Sequence, residues 1–271
     1  MEGLLVAEAL EALKGRLPSE RSSWRFPDAY TFVLPLGKVS LWLYLKPPNP
    51  RLSVEKEFPA TTTGHSGFQE LLASRAAGPL LRAEQLKLDR VVSFDFGPSS
   101  GFVSRPAVRL VAELTGRNCN LVLVGEAGTV LGVMREVSSS VNRYRELRSG
   151  LSYVAPPPYD KLDPREAGDE ALAQALAGGR LKDLHKHLDG LGPRLTLALA
   201  SRLGLAPGAR LDTQTLPRLL PVLRELAEKP SAFLSQDALA GIGTLREEES
   251  RQEVSGRLRE ELGKAQRKLE R

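Results

Sequence analysis

The sequence has few of the residues from which disulfide, metal and nucleophilic sites are most often built. Among its 271 residues there are one cysteine and three histidines, which excludes an internal disulfide framework and a cysteine-based zinc site. His185 and His187 are two positions apart and point to different sides of a helix, so we expect solvated helix residues. Cys119 has no candidate base near it in the sequence, and we expect it to pack in the core. We therefore predict no metal, no cofactor and no catalytic residue.

Long apolar runs and phosphate-binding loops are also absent. No run approaches the roughly 20 residues of a membrane-spanning helix, and Met1-Glu2-Gly3-Leu4-Leu5 is acidic rather than basic, unlike a signal peptide. We therefore expect a reduced, cytoplasmic chain without a membrane partner. There is no Gly-x-x-x-x-Gly-Lys-Ser/Thr loop and no nucleophile elbow, so we predict no small-molecule substrate.

The charge of the chain is slightly positive. Lysine and arginine number 38 against 33 acidic residues, which gives a net charge of +5, and 41% of residues are hydrophobic, as is ordinary for globular proteins. No segment is a dense polybasic tail. Composition alone therefore leaves an ordinary soluble protein and a nucleic-acid-binding protein equally open.

The first half of the chain is rich in aromatic and β-branched segments separated by turn residues such as Pro27-Asp28 and Gly37-Lys38. Two helices, 4–17 and 66–77, accompany them. We expect an antiparallel β-sandwich-like domain with helices over residues 1–160. The predicted strands are 24–26, 31–34, 39–45, 91–96, 108–114, 120–124 and 129–134.

The second half is rich in leucine and alanine and reads as helical from residue 163 to about 240. We place the domain boundary in the proline run 156–158 and expect an all-α helix-hairpin-helix domain over residues 161–242. Apolar residues repeat at coiled-coil spacing between 254 and 269, so residues 243–271 are predicted to begin a coiled coil. No capping signal follows, and we expect the sequence to stop inside a helix. The predicted fold class is α+β.

The clearest short motif is a Gly-x-Gly turn between two helices. Gly190 and Gly192 would let the turn approach a phosphate, the first amides of the next helix would face that anion, and Arg194 would add a charged contact. A plain αα-hairpin that uses glycine for a tight turn is the alternative. Spacing leaves both interpretations open.

A second cluster lies in the β-rich half. Asp89-Arg90 directly precedes a predicted strand, and Glu113-Leu114-Thr115-Gly116-Arg117 lies at a strand-turn-strand junction. An arginine at a loop rim can bind phosphate, and an adjacent carboxylate can orient it or accept from a base or ribose. Spacing alone favours a strand-end salt bridge at Asp89 and Arg90.

An ordered series of short segments runs along the chain. The segments are Met1-Glu2-Gly3-Leu4-Leu5, Gly15-Arg16-Leu17, Leu88-Asp89-Arg90-Val91-Val92-Ser93-Phe94, Glu113 to Leu123, Asn142-Arg143, Gly150-Leu151-Ser152-Tyr153, Pro156-Pro157-Pro158 and Lys161-Leu162-Asp163-Pro164. In this series the sequence resembles the NFACT family. Thr115 and Cys119 depart from it, since the family usually has methionine and serine there. The resemblance covers essentially the whole chain and implies an N-terminal domain similar to that of formamidopyrimidine-DNA glycosylases, a helix-hairpin-helix domain and the start of a coiled-coil middle region.

The resemblance implies a function in ribosome-associated quality control. Its partners would be the large ribosomal subunit obstructed by peptidyl-tRNA, and tRNA, charged with alanine in bacteria, for template-free tailing of the stalled chain. Peptidyl transfer belongs to ribosomal RNA, so the protein would position tRNA and not act as an enzyme. The implied tRNA-binding residues are Asp89, Arg90, Glu113, Leu114 and Thr115, to which we add Arg117.

Two alternatives come from the same resemblance. One is a glycosylase-like enzyme, which the fold likeness and the helix-hairpin-helix suggest but which would need an N-terminal proline nucleophile where this sequence reads Met1-Glu2. The other is an adhesin that binds fibronectin, which the lack of an export signal disfavours.

Overall fold

The computed structural model describes residues 1–20, 22–60, 64–99 and 104–234. Its first sheet is a four-stranded antiparallel meander in chain order, which confirms the predicted meander and adds a fourth strand. The second sheet has five antiparallel strands, again in chain order. The strands are β1 Arg25–Asp28, β2 Thr31–Leu36, β3 Val39–Tyr44 and β4 Arg51–Glu55 in the first sheet, and β5 Leu80–Gln85, β6 Val91–Phe96, β7 Val108–Glu113, β8 Asn120–Gly125 and β9 Val130–Val133 in the second.

The two sheets share one apolar core, which makes this part of the chain sandwich-like. Phe32 of the first sheet and Phe94 of the second are fully buried in it, and the rings of Trp24 and Phe96 lie 5.9 Å apart. Helix α1 (Gly3–Glu11) contributes Val6 to this core, and α2 (Gly67–Arg75) contributes Leu72. The expected α+β class with antiparallel sheets and helices is therefore confirmed for this part.

Helix α1 is shorter than the predicted 4–17. After Glu11 the helix gives way to a succession of tight turns, in which the amides of Leu13, Lys14 and Arg16 each donate to a carbonyl three residues earlier. Gly15 then has a φ of +73°, which lies in the left-handed region and cannot continue a right-handed helix. The apolar pattern thus extends beyond the helix itself.

The helical part has its own leucine-rich core. Leu4 and Leu5 of α1 and Leu88 of the β5–β6 turn also lie in it, so α1 contributes to both cores. The 3₁₀ helices are Gly116–Asn118, Leu181–Asp183 and Pro230–Phe233, and the remaining helices are α3 Asp169–Leu176, α4 Leu184–His187, α5 Pro193–Leu203 and α6 Leu216–Glu228. The predicted coiled coil, 243–271, lies outside the described residues.

The outer face of the second sheet is covered by the segment that follows β9. Leu147 of this segment is buried against valines of the sheet, among them Val111 and Val122. The amide of Val137 donates to the carbonyl of Leu147 at 3.0 Å, and the amide of Leu147 donates to the carbonyl of Val137 at 2.9 Å. Strand β7 is consequently buried on both faces from Leu110 to Glu113, while Arg109 stays exposed.

Candidate nucleic-acid interface

Three loops meet at one end of the sandwich. The amide of Leu114 donates to the carbonyl of Arg90 at 2.7 Å, which joins the β7–β8 loop to the β5–β6 turn. The thiol of Cys119 donates to the carbonyl of Leu45 at 3.1 Å, which joins the β7–β8 loop to the loop after β3. Antiparallel pairing of Val91 with Glu113 aligns the two predicted motifs. The structure therefore brings Asp89-Arg90 next to the segment 113–117.

Arg90 and Arg117 present their guanidinium groups to solvent at this end. Both side chains are exposed, and no described residue accepts a hydrogen bond from either guanidinium. The backbone groups of the same residues are engaged: the amide of Arg90 donates to the Asp89 carboxylate at 2.7 Å, and the carbonyl of Arg117 accepts from Arg135 at 3.1 Å. Rigid backbones with exposed charges are suited to binding an external anion.

The turn that carries Asp89 and Arg90 is braced against helix α1. The side-chain amide of Gln85 donates both to the carbonyl of Asp89, at 2.7 Å, and to that of Gly3, at 2.8 Å. Lys87 has a φ of +52°, in the left-handed region that non-glycine residues seldom adopt. Asp89 thus stabilises the turn itself, since its carboxylate accepts a hydrogen bond from the amide of Arg90 and its carbonyl accepts one from the side-chain amide of Gln85.

Asp189 joins this turn to the helical part. Its side chain is only 5% exposed and accepts from the amide of Leu88 at 3.0 Å and from the hydroxyl of Tyr159 at 2.9 Å. It also accepts from the amide of Gly190 at 2.8 Å. Burial raises the pKa of the Tyr159 hydroxyl, and the neighbouring Asp189 carboxylate raises it further. Sequence reasoning missed Asp189 and Tyr159, although an aspartate directly before a Gly-x-Gly turn is a signal for such a cap.

The Gly-x-Gly turn joins α4 to α5, and we call this connection the hairpin. Its amide donors already have a partner. The amides of Gly192, Arg194 and Leu195 donate to the carboxylate of Glu2 at 2.9, 2.7 and 3.1 Å. A side chain at Gly192 would collide with that carboxylate, because an added Cβ would lie 2.6 Å from the Glu2 Cδ. Glu2 therefore occupies the position that the phosphate-binding interpretation of Gly190, Gly192 and Arg194 gave to an external anion.

Glu113 and Leu114 are both buried, Glu113 at 1% exposure and Leu114 at 0%, and their tRNA-binding role stays a prediction. The Glu113 carboxylate pairs with the guanidinium of Arg145 and accepts from the hydroxyl of Tyr153 at 3.1 Å. Neither side chain is exposed at the surface of the loop. Thr115 is half-buried at the start of the loop and stays a prediction.

Arg194 extends the basic character of this end to the helical part. The amide of Arg194 donates to the Glu2 carboxylate, and Gly3, the residue after Glu2, is joined through Gln85 to Asp89. Burial lowers the pKa of the Met1 amino group, and the charges of Arg90 and Arg194 lower it further. Lys87 lies in the same turn as Arg90 and donates to the carbonyl of Tyr159 at 2.8 Å. We call Lys87, Arg90, Arg117 and Arg194 the basic face.

Two other features are absent from the described ranges. No group of three histidine, cysteine or acidic side chains there could hold a metal ion. Within the same ranges, no helix combines the length and apolar character needed to cross a membrane.

Solved structures of similar fold come from staphylococci and streptococci. The N-terminal part of the fibronectin/fibrinogen-binding protein from Streptococcus suis superposes with a TM-score of 0.68 at 20% identity, covering 84% of this chain and 85% of that one. The fibrinogen binding protein from Staphylococcus aureus gives 0.65 at 20% identity, covering 84% and 83%. At this identity the comparison shows the fold alone.

Curated relatives carry one name. The Rqc2 homolog RqcH of Bacillus subtilis (strain 168) is 30% identical over 167 residues, which are 59% of this chain and 28% of that protein. The Rqc2 homolog RqcH of Streptococcus pneumoniae serotype 2 is 31% identical over 131 residues, 47% of this chain and 24% of that protein. The chain spans about a quarter of the length of these relatives.

The family comparison covers far more of the chain than the pairwise ones. The family described as NFACT N-terminal and middle domains matches residues 25–269. That range contains both sheets and every helix after α1 among the described residues. The chain therefore belongs to the NFACT family.

Proposed function

We propose that the protein acts in ribosome-associated quality control, binding the obstructed large ribosomal subunit and recruiting tRNA, alanyl-tRNA in bacteria, for template-free tailing of stalled chains. Membership of the NFACT family and relatives named Rqc2 homolog RqcH support this class of function. In this proposal the protein is not an enzyme, because the ribosome performs peptidyl transfer. It works in the cytoplasm and needs no cofactor.

The observation that carries the RNA-binding part is the placement of Arg90 and Arg117. The two residues belong to different loops, lie at one end of the sandwich and have exposed guanidinium groups. Guanidinium groups bind phosphate through paired hydrogen bonds, and contacts to phosphate supply most of the affinity in non-specific nucleic-acid binding. Arg194 and Lys87 add positive charge from neighbouring segments.

Within this proposal we divide the predicted tRNA-binding residues by role. Arg90 and Arg117 are the proposed phosphate contacts, and Asp89 holds the amide of Arg90. Glu113 and Leu114 support the loop from inside, because both are buried. Arg90→Ala alone is therefore a cleaner probe than a double change with Asp89, whose loss would also disturb the turn.

Titration of fluorescently labelled tRNA at several salt concentrations tests the proposal. Each arginine that contacts a phosphate should reduce the slope of log K against log salt by about 1 when replaced by alanine. Lys38→Ala is the matched control, since Lys38 is exposed in the β2–β3 turn at the opposite end of the first sheet. Equal slopes for Arg90→Ala, Arg117→Ala and Lys38→Ala would reject the assignment.

A further inference from the structure

The Gly-x-Gly turn binds an anion that belongs to the chain itself. The Glu2 carboxylate accepts from the amides of Gly192, Arg194 and Leu195, at the amino end of α5. Glu2 is 9% exposed, so the carboxylate is enclosed. The amino end of a helix favours negative charge, and hydrogen bonds from amides to a carboxylate are stronger than those to neutral acceptors.

The contacts around Glu2 continue into a second connection. The amide of Leu4 donates to the carbonyl of Gly190 at 3.0 Å, so residues 2 and 4 both bind the turn. Between them, Gly3 leaves no room for a side chain, because an added Cβ would lie 1.7 Å from the carbonyl oxygen of Leu88. The start of α1 is thus wedged between the hairpin and the β5–β6 turn.

These contacts form a continuous path between two arginines of the basic face. The amide of Arg194 donates to the carboxylate of Glu2. Gly3, which follows Glu2, accepts at its carbonyl from the side-chain amide of Gln85, and the same amide donates to the carbonyl of Asp89. Arg90 follows Asp89 directly. The separation of Arg90 and Arg194 is therefore set through residues 2 and 3, in addition to Asp189.

We propose that Glu2 is a positioning residue for RNA binding, which holds Arg194 in register with Arg90 and closes the hairpin to nucleic-acid phosphate. The proposal depends on the proposed function, since it assigns a role within the same basic face. It gives the hairpin a different use from the phosphate-binding one predicted from sequence. The hairpin amides bind the carboxylate of Glu2, so the hairpin holds the amino-terminal segment of the chain and not an external anion.

The chain offers a matched control at the other end of α1. Glu8 accepts from the amide and the hydroxyl of Ser231 at 3.0 and 2.7 Å, so it also ties α1 to a helical turn through a carboxylate. Ser231 is not part of the basic face. Glu8→Gln removes the same charge and a comparable contact, and melting temperatures of both variants report the structural cost.

The experiment compares tRNA binding by wild type, Glu2→Gln, Glu8→Gln and Glu2→Asp at a temperature where all four are folded. We expect roughly tenfold weaker binding of tRNA by Glu2→Gln. This change in free energy corresponds to about one charge-assisted hydrogen bond. Glu8→Gln should bind as wild type, and Glu2→Asp, which keeps the charge, should recover most of the affinity.

Other outcomes overturn the proposal in distinguishable ways. Equal affinities for Glu2→Gln and Glu8→Gln show that Glu2 is merely structural. Tighter binding by Glu2→Gln shows that Glu2 only keeps phosphate out of the hairpin and does not position Arg194 for RNA binding. A wild-type protein that binds no tRNA defeats the proposed function itself.

Discussion

Glu113 and Arg145 form a buried ion pair in which each carboxylate oxygen accepts from one guanidinium nitrogen at 2.7 Å. The same guanidinium donates to the carbonyl of Val154 at 2.9 Å, and Tyr153 donates to Glu113. The pair therefore attaches the segment after β9 to the end of β7. Glu113 ends β7 just before the loop that carries Arg117, so the buried pair supports the proposed interface from inside.

Removing one partner of this pair should strongly destabilise the fold. Glu113→Ala leaves the Arg145 guanidinium buried without its counter-ion, which typically costs about 3–5 kcal/mol. Arg109→Ala is the control, because its pair with Asp95 at 2.6 Å lies on an exposed face and is expected to contribute about 1 kcal/mol or less. Urea unfolding measures both, and equal losses would contradict the assigned role of Glu113.

Gly3 should not tolerate even a methyl group. An added Cβ would lie 1.7 Å from the carbonyl oxygen of Leu88, so Gly3→Ala must displace α1 from the β5–β6 turn. Gly67→Ala is the matched change, since Gly67 is the first residue of α2 and an added Cβ there meets no atom within 4 Å. We expect a clear fall in melting temperature for Gly3→Ala and none for Gly67→Ala. A Gly3→Ala protein as stable as wild type would refute the close approach.

Cys119 should be unreactive in the folded protein. Burial raises the pKa of its thiol, so little thiolate is present near neutral pH, and the thiol donates to the carbonyl of Leu45. We expect a thiol-specific reagent to label Cys119 in urea and to leave the native protein unmodified. Labelling at the same rate in both conditions would show that the reagent reaches the Cys119 thiol in the native protein.

Asp95 should make a small, pH-dependent contribution to stability. Burial raises its pKa, but hydrogen bonds and charges from Arg109 and Arg82 outweigh this and hold the pKa below its usual value. Since the folded pKa lies below the unfolded value of about 3.9, the contribution is present above about pH 4 and is lost as pH falls through the folded pKa. The urea midpoints of wild type and Asp95→Asn should thus differ at neutral pH and converge in acid. A difference that persists at the lowest pH would contradict this sign.

Strands with strong composition signals were predictable, and weak ones were not. The prediction of 91–96 matches β6, and 120–124 matches most of β8, because both runs are dominated by apolar residues typical of strands. Strand β5 was missed, since it lies at the edge of the second sheet and carries arginine, glutamate and glutamine. Its pairing with β6 identifies it as a strand.

The site was predictable in its motifs and not in its long-range contacts. Asp89-Arg90 and Arg117 were recognised from local sequence, but their adjacency depends on the pairing of β6 with β7. Glu2 and Gly192 are 190 residues apart in the sequence, and no local pattern predicts which carboxylate binds the amides of the hairpin. Burial of Glu113 likewise depends on Arg145, which belongs to a segment without regular structure.

Sequencing of the RNA that co-purifies with the protein tests the central claim most directly. The measurement compares wild type with the Arg90→Ala/Arg117→Ala double variant, after confirming equal melting temperatures, which the exposure of both side chains predicts. The account predicts a pool enriched in tRNA with the wild-type protein and loss of that pool with the variant. An RNA-free wild-type preparation, or an unchanged pool with the variant, would contradict it.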